Sequence, residues 1–355
     1  MAGSLSKYAF INAKLRARIS QLLPDEMFGQ LAKAPSLDAA LALLRDTPFS
    51  GLEGIYASTG DLKLAELDLL KSEIELYRSL RQHLHPNSKQ VVDALLCRFE
   101  IENLKNAIRV YFDRKIRHRS VETSIHYVLH DQVIHPIPTD LICNAESLDE
   151  IAGLCDGTPY ARIIQKYAHT VEQEKSLFRM EVGLDLHYYR SLVDAINSLD
   201  SRDRTIALRL IGVEIDLQNI SWIIRFKKFY DLPLEAILAT LIPGGLNLNR
   251  AIIDELYRAH NVAGVLQGFV EGKYPGLSTL LSAQTSGSTA RLMLIQRILD
   301  EIRRYEVQRI MGGYPFTIGI ILAYFVLKGD ELKKIRTVLN AKLYGRESER
   351  IESML

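Results

Sequence analysis

The sequence predicts an all-α protein made of three related helical-bundle domains. Three observations predict it: apolar residues recur at three- and four-residue steps, alternating strand patterns between turn signals are scarce, and three markers return in one order about every 115 residues.

The periodicity is clearest on the helices that carry a single apolar stripe. In DLKLAELDLLKSEIELYRSL and just beyond it, Leu67, Leu70, Ile74, Tyr77, Leu80 and Leu84 step by three or four. RLMLIQRILDEIRRYEVQRIMGG repeats this with Leu292, Ile295, Leu299, Ile302 and Tyr305, and Gly312-Gly313 supplies a stop. VVDALLCRFEIENLKNAIRVYF and RTIALRLIGVEIDLQNISWIIRF are apolar on more than one face, as helices enclosed in a bundle are.

The repeat has three markers. Three helices each carry a marker tyrosine, Tyr77, Tyr189 and Tyr305, which lie 112 and then 116 residues apart. Upstream of each is a proline break: Thr47-Pro48-Phe49, Thr158-Pro159-Tyr160 and Tyr274-Pro275-Gly276, at proline-to-tyrosine spacings of 29, 30 and 30 residues. Downstream of each lies an acidic helix. EIENLKNAIR (Glu100 to Arg109) matches DLQNISWIIR (Asp216 to Arg225), and ELKKIRTVLN from Glu331 keeps the acid and the aliphatics but not the Asn or Arg. Pro24, Pro138 and Pro243 open the corresponding early segments. The polar stretch Arg114–Arg119 and the Asp231-Leu232-Pro233 break then give domains 1–116, 117–233 and 234–355, each of ordinary domain size. Three such bundles can close around a pseudo-threefold axis.

Composition excludes several function classes. With 44 basic and 43 acidic residues the formal charge is +1, so no whole-molecule field points to nucleic acid or an anionic membrane. Cys97, Cys143 and Cys155 are odd in number and form no Cys-x-x-Cys pair, which fits a reducing compartment without a disulfide framework. The N-terminus lacks the apolar core of a signal peptide. The most apolar run, Ile318–Leu327, spans about half of what a bilayer requires, so a buried core helix is expected.

Catalytic motifs are absent: there is no P-loop, no Gly-x-Gly-x-x-Gly and no Gly-x-Ser-x-Gly elbow. His126 and His130 in HYVLH stand one helical turn apart with His135 nearby, yet Tyr127 replaces the hydrolase glutamate and no third ligand is fixed. Neither a metal nor a cofactor is therefore expected. The basic, aromatic-bearing stretches Arg109–Arg119 and Ile223–Asp231 raise RNA binding, but acidic residues balance them and solvated helix ends account for them.

The candidate functional residues are Glu100, Asn103, Arg109, Asp216, Asn219 and Arg225. At 100° per residue, Glu100 and Asn103 lie about 60° apart, while Glu100 and Arg109 lie about 180° apart with Leu104, Ile108 and Phe112 between them. Acid and arginine thus flank an apolar face and cannot pair on one helix. They serve either in hydrogen bonds that fix how the bundles pack, or as the polar lining of an opening shared by the three domains.

KYAFINAKLRAR, RDTPFSGL, the Glu-x-x-Asn-Leu helix and YPFTIGIILAYFVLKGDELKKIRTVLNAKLYG together resemble the C subunit of archaeal- and vacuolar-type rotary ATPases, called the d subunit in the eukaryotic enzyme. The resemblance covers essentially the whole chain. It implies a funnel of three pseudo-symmetric domains around a central cavity, seated on the cytoplasmic face of the membrane rotor ring of proteolipid subunits. The central stalk would insert into the funnel, torque would pass between motor and ring for ion transport, and ATP chemistry would belong to other subunits. The competing expectation is an all-helical scaffold or adaptor unrelated to rotary motors.

Overall fold

A computed structural model of the chain describes residues 2–122, 124–259, 262–270, 274 and 288–352. Among them are seventeen α-helices and one 3-10 turn, and no strand. Of the proline marker Tyr274-Pro275-Gly276, Pro275 and Gly276 lie outside the described residues. The chain divides into two compact units, Phe49–Ser198 and Met1–Pro48 together with Leu199–Leu355.

The unit Phe49–Ser198 holds α4 (Gly51–Thr59), α5 (Leu62–Arg81), α6 (Pro86–Lys115), a 3-10 turn (Ser124–Tyr127), α7 (Thr139–Asn144), α8 (Leu148–Leu154), α9 (Tyr160–Glu174) and α10 (Phe178–Asn197). Local chemistry sets the ends of these elements. Gly60, at φ 68°, takes the left-handed conformation that closes α4. Asp61 then caps α5 by accepting from Lys63 N at 2.9 Å. Pro86 opens α6 at the helix start, where its missing N–H costs nothing. The core forms around α6, which packs on α5, α7 and α10. Val92, Leu95, Leu96, Leu104, Ala107 and Ile108 of α6 are all buried, so this helix is enclosed rather than amphipathic.

The other unit contains α1 (Ala2–Ile19), α2 (Asp25–Lys33) and α3 (Leu37–Ala42) from the start of the chain. After Leu199 it adds α11 (Ser201–Tyr230), α12 (Leu234–Thr240), α13 (Arg250–Arg258), α14 (Val262–Val270), α15 (Ser288–Met311), α16 (Gly319–Leu343) and α17 (Ser348–Glu352). Asp200 caps α11 by accepting from Asp203 N at 3.0 Å, and Asp231, at φ 47°, ends the helix. Like α6, α11 is 30 residues long and buried on several faces, with Leu210, Ile215, Ile220 and Ile223 fully enclosed. The apolar run from Ile318 lies at the start of α16, with Ile320 to Tyr324 buried against the rest of the unit. No helix among the described residues is long and apolar enough to cross a membrane.

Packing in both units follows one scheme. The tyrosine markers sit on α5, α10 and α15, and the acids on α6, α11 and α16. Each of α6 and α11 packs on the tyrosine helix that follows it, α10 and α15 respectively. In the second unit α16 packs on α15 and on α1, α2 and α3. Asp203 ties α1 to the start of α16: its carboxylate accepts from Tyr8 OH at 2.6 Å, Lys7 Nζ at 2.9 Å and Ile318 N at 2.9 Å.

The sequence expectation for HYVLH needs correction. The turn that holds His126 ends at Tyr127, so His126 and His130 do not share a helical face; His130 instead meets Asp140 at 2.6 Å and Thr139 at 3.3 Å.

Candidate functional site: a repeated polar latch

Glu100 stands in the middle of α6 with only 3% of its surface exposed. A carboxylate so buried is costly unless hydrogen bonds replace its water. Here Oε2 accepts from the backbone N–H groups of Ile134 at 2.7 Å and His135 at 2.6 Å. Oε1 accepts from Tyr160 OH at 2.7 Å and meets His135 Nδ1 at 2.6 Å. One turn along the same face, the Asn103 amide donates to Leu129 O and accepts from Leu129 N, both at 2.7 Å. Helical spacing puts Glu and Asn side by side, and together they pin the loop ahead of α7 at two points.

The second copy repeats this construction. Asp216, in the middle of α11, accepts from Leu246 N at 3.1 Å, Asn247 N at 2.6 Å and Leu248 N at 3.2 Å. Asn219 exchanges both bonds with Ile242, each at 2.8 Å. Burial pushes the Asp216 carboxyl up, and the three backbone donors pull it back only in part. The loop passes so close that a Cβ on Gly245 would lie 2.2 Å from Asp216 Oδ1. Glycine is therefore a steric requirement of the latch here.

In the third copy the acid survives but its partner comes from the other end of the chain. Glu331 of α16 accepts from Leu23 N at 2.7 Å and is paired with Lys328 at 2.8 Å. Pro24, next in line, has no N–H to offer. Lys334 replaces the asparagine and binds Asp25 at 2.8 Å, holding that carboxyl below the ordinary range. From its serine cap to its Thr-Pro break the segment so held parallels the one held by Glu100. Ser36 caps α3 as Ser147 caps α8, each accepting at 3.1 Å. Thr47 Oγ1 donates to Leu44 O as Thr158 Oγ1 does to Cys155 O, both at 2.7 Å. The start of the chain thus completes the copy whose acid lies at its end. A cleft of about 610 Å³ opens beside this latch, lined by Arg18, Leu22, Pro24, Met27, Asp46 and Pro48 among others.

Of the six residues singled out by sequence, the structure brings Glu100 and Asn103 together on one loop, and Asp216 and Asn219 on another. The arginines lie elsewhere. Arg109, half-exposed, binds Glu181 of α10 at 2.7 Å and Asn106 at 2.9 Å. Arg225 is exposed and makes no hydrogen bond or ion pair among the described residues. Sequence reasoning missed the pairing of Glu331 with Leu23, although a signal existed: Ser36-Leu37-Asp38 returns as Ser147-Leu148-Asp149 at the same distance from its Thr-Pro break. It also missed Tyr160 and His135 as partners of Glu100, since nothing in the local pattern joins a loop to a distant helix.

A family model for the ATP synthase (C/AC39) subunit matches residues 11–354. The chain belongs to that family. As a member of the C/AC39 family it is similar to the C subunits of several archaeal A-type ATP synthases. That of Methanocaldococcus jannaschii is 24% identical, aligned over 100% of this chain and 88% of the relative. That of Pyrococcus horikoshii is 25% identical, over 98% of this chain and 90% of the relative. That of Methanosphaera stadtmanae is 25% identical, over 94% and 84%. The C/AC39 match spans both compact units and all three latch acids. By this membership the protein is a structural subunit of a rotary ATP synthase, which sets aside the unrelated-scaffold expectation.

Proposed function

We propose that this chain is the non-catalytic socket of the central stalk in a V/A-type ATPase or ATP synthase. In this reading it joins the rotating shaft to the membrane rotor ring of proteolipid subunits and transmits torque for ion transport. It works on the cytoplasmic side as a peripheral subunit, without inserting in the bilayer, and carries no nucleotide site of its own. Three related helical domains, the last completed by the start of the chain, would surround a central cavity that grips the shaft.

The observation that carries the reading is the latch found on α6, α11 and α16. Torque transmission requires a part that does not yield under load, and a helix whose buried carboxylate holds backbone N–H groups of a crossing loop resists sliding. Such charge-assisted bonds are roughly twice as strong as neutral ones. Recurrence of the latch along one chain supports quasi-equivalent bodies suited to an axial partner.

Reconstitution tests the proposal. The purified chain, mixed with isolated stalk subunits and with detergent-solubilised ring, is expected to bind both and to bridge them. It is also expected to hydrolyse no ATP by itself. Turnover by the chain alone, or failure to bind either partner, overturns the reading.

A further inference from the structure

Around the latch of α6 lie groups that the other two latches do without. Cys97, Glu100 and His135 each offer one potential ligand atom, and these atoms all lie within 4.8 Å of one another. Cys97 and Glu100 come from successive turns of α6, and His135 comes from the loop the latch holds. We propose that these three side chains bind a single divalent ion of the zinc class. The proposal does not depend on the socket reading.

The internal repeat serves as a control. Three residues before the acid stand Cys97, Val213 and Lys328 in the three copies, and the second latched loop residue is His135 in the first copy but Asn247 in the second. Asp216 holds its loop with three backbone N–H groups and the Asn247 side chain, so a thiol and an imidazole are not needed for latching. In the third copy a cation does sit at the acid: the Lys328 ammonium, 2.8 Å from Glu331. In the first copy a doubly charged ion would play that part. With the Cys97 thiolate, the Glu100 carboxylate and a neutral His135 ring, it forms a site of zero net charge, which suits burial.

The chemistry and room agree. Sulfur, nitrogen and carboxylate oxygen are the usual donors to zinc, at about 2.3, 2.0 and 2.1 Å. Tetrahedral ligands at those lengths stand about 3.3 Å apart. The His135 ring, 2.6 Å from Glu100 Oε1, therefore has to swing only slightly to admit the ion. Glu100 Oε2 keeps its two backbone donors and Tyr160 OH continues to orient Oε1. Beside them a cavity of about 10 Å³, lined by Glu100, Asn103, Gln132 and His135 among others, has room for about one water, which would supply a fourth ligand. Without metal, burial pushes the Cys97 thiol up to about 11; binding expels its proton.

The test titrates Co²⁺ into the full-length, chelator-stripped chain and follows the absorption spectrum. One equivalent is expected to bind with a thiolate-to-cobalt charge-transfer band, and Zn²⁺ is expected to displace it. The double variant Cys97→Val, His135→Asn carries the second copy's own residues, so it is expected to fold while losing the band and roughly a hundredfold or more in affinity. A second reading uses the wild-type chain alone. Zn²⁺ is expected to slow alkylation of Cys97 about tenfold or more, mapped by mass spectrometry. No Co²⁺ binding, binding without the band, equal binding by the folded variant, or alkylation of Cys97 indifferent to Zn²⁺ overturns the site. In that case His135 acts only as a hydrogen-bonding partner of Glu100.

Discussion

At the scale of single residues, burial decides which of the conspicuous polar side chains matter to the fold. Asn103 satisfies both backbone groups of Leu129, and both bonds are buried. Asn103→Ala leaves a buried N–H unpaired and is expected to cost about 2–3 kcal/mol, read from the urea midpoint. Asn219→Ala is expected to behave alike through Ile242. Arg225→Ala, at an exposed site without such bonds, is expected to stay within about 0.5 kcal/mol. Asp25 gives a pH test. Its carboxyl is lowered below 3.8, chiefly by its hydrogen bond to Lys334. A carboxyl whose folded pKa is depressed adds stability above the unfolded pKa, and that stability disappears as pH falls through the folded value. Its side chain is largely exposed, so the contribution is a few tenths of a kcal/mol. Thermal melts of wild type and Asp25→Asn are expected to differ by that small amount at pH 6, to begin to approach below about pH 3.8, and to converge once pH has fallen through the lowered folded value.

Between helix and loop, the latches convert segments without regular structure into fixed parts of each unit. Amides of Leu23, Ile134, His135, Leu246, Asn247 and Leu248 all donate to buried carboxylates. They are expected to exchange hydrogen as slowly as helical amides, although ordinary loops exchange fast. Glu100→Ala is expected to release protection at 134–135 and leave 246–248 unchanged, and mass spectrometry of deuterated peptides checks both. Gly245 offers a steric version of the same test. A Cβ there collides with Asp216, so Gly245→Ala is expected to destabilise by about 1–3 kcal/mol. Gly153 lies in α8 with open space around it, and there alanine is expected to stabilise by about 0.5–1 kcal/mol. The helices were legible in the sequence because apolar spacing is a local signal; α5, α6, α11 and α16 all stand where periodicity or the acid motif put them. Glu100, Asn103, Asp216 and Asn219 were legible as a pattern, since i and i+3 share a helix face. Their partners were not, because a backbone N–H carries no residue identity that a sequence could display.

For the whole molecule, the decisive feature is that residues 1–48 pack with residues 199–355 rather than with their neighbours in the chain. Sequence repeats show which segments are related, but not which copy a segment joins, and only long-range contacts settle that. Several separate holds secure the start of the chain, among them Tyr8 and Lys7 on Asp203, Leu23 on Glu331 and Asp25 on Lys334. Beneath them α16 buries Leu332, Ile335, Val338 and Leu339 in its unit, which contains α1, α2 and α3. Deleting residues 1–48 therefore removes a wall of one unit and leaves the Glu331 carboxylate without its backbone donor. Stripping cover from several aliphatic side chains at about 1.5–3 kcal/mol each is comparable with the whole stability of a typical domain. The truncated chain is expected to lose slow exchange across 199–352 while residues 49–198, which hold their own latch on Glu100, keep theirs. Uniform loss of protection in both units would instead mean that the two fold as one cooperative body. Protection surviving in both would mean that the chain's beginning is dispensable to the third latch.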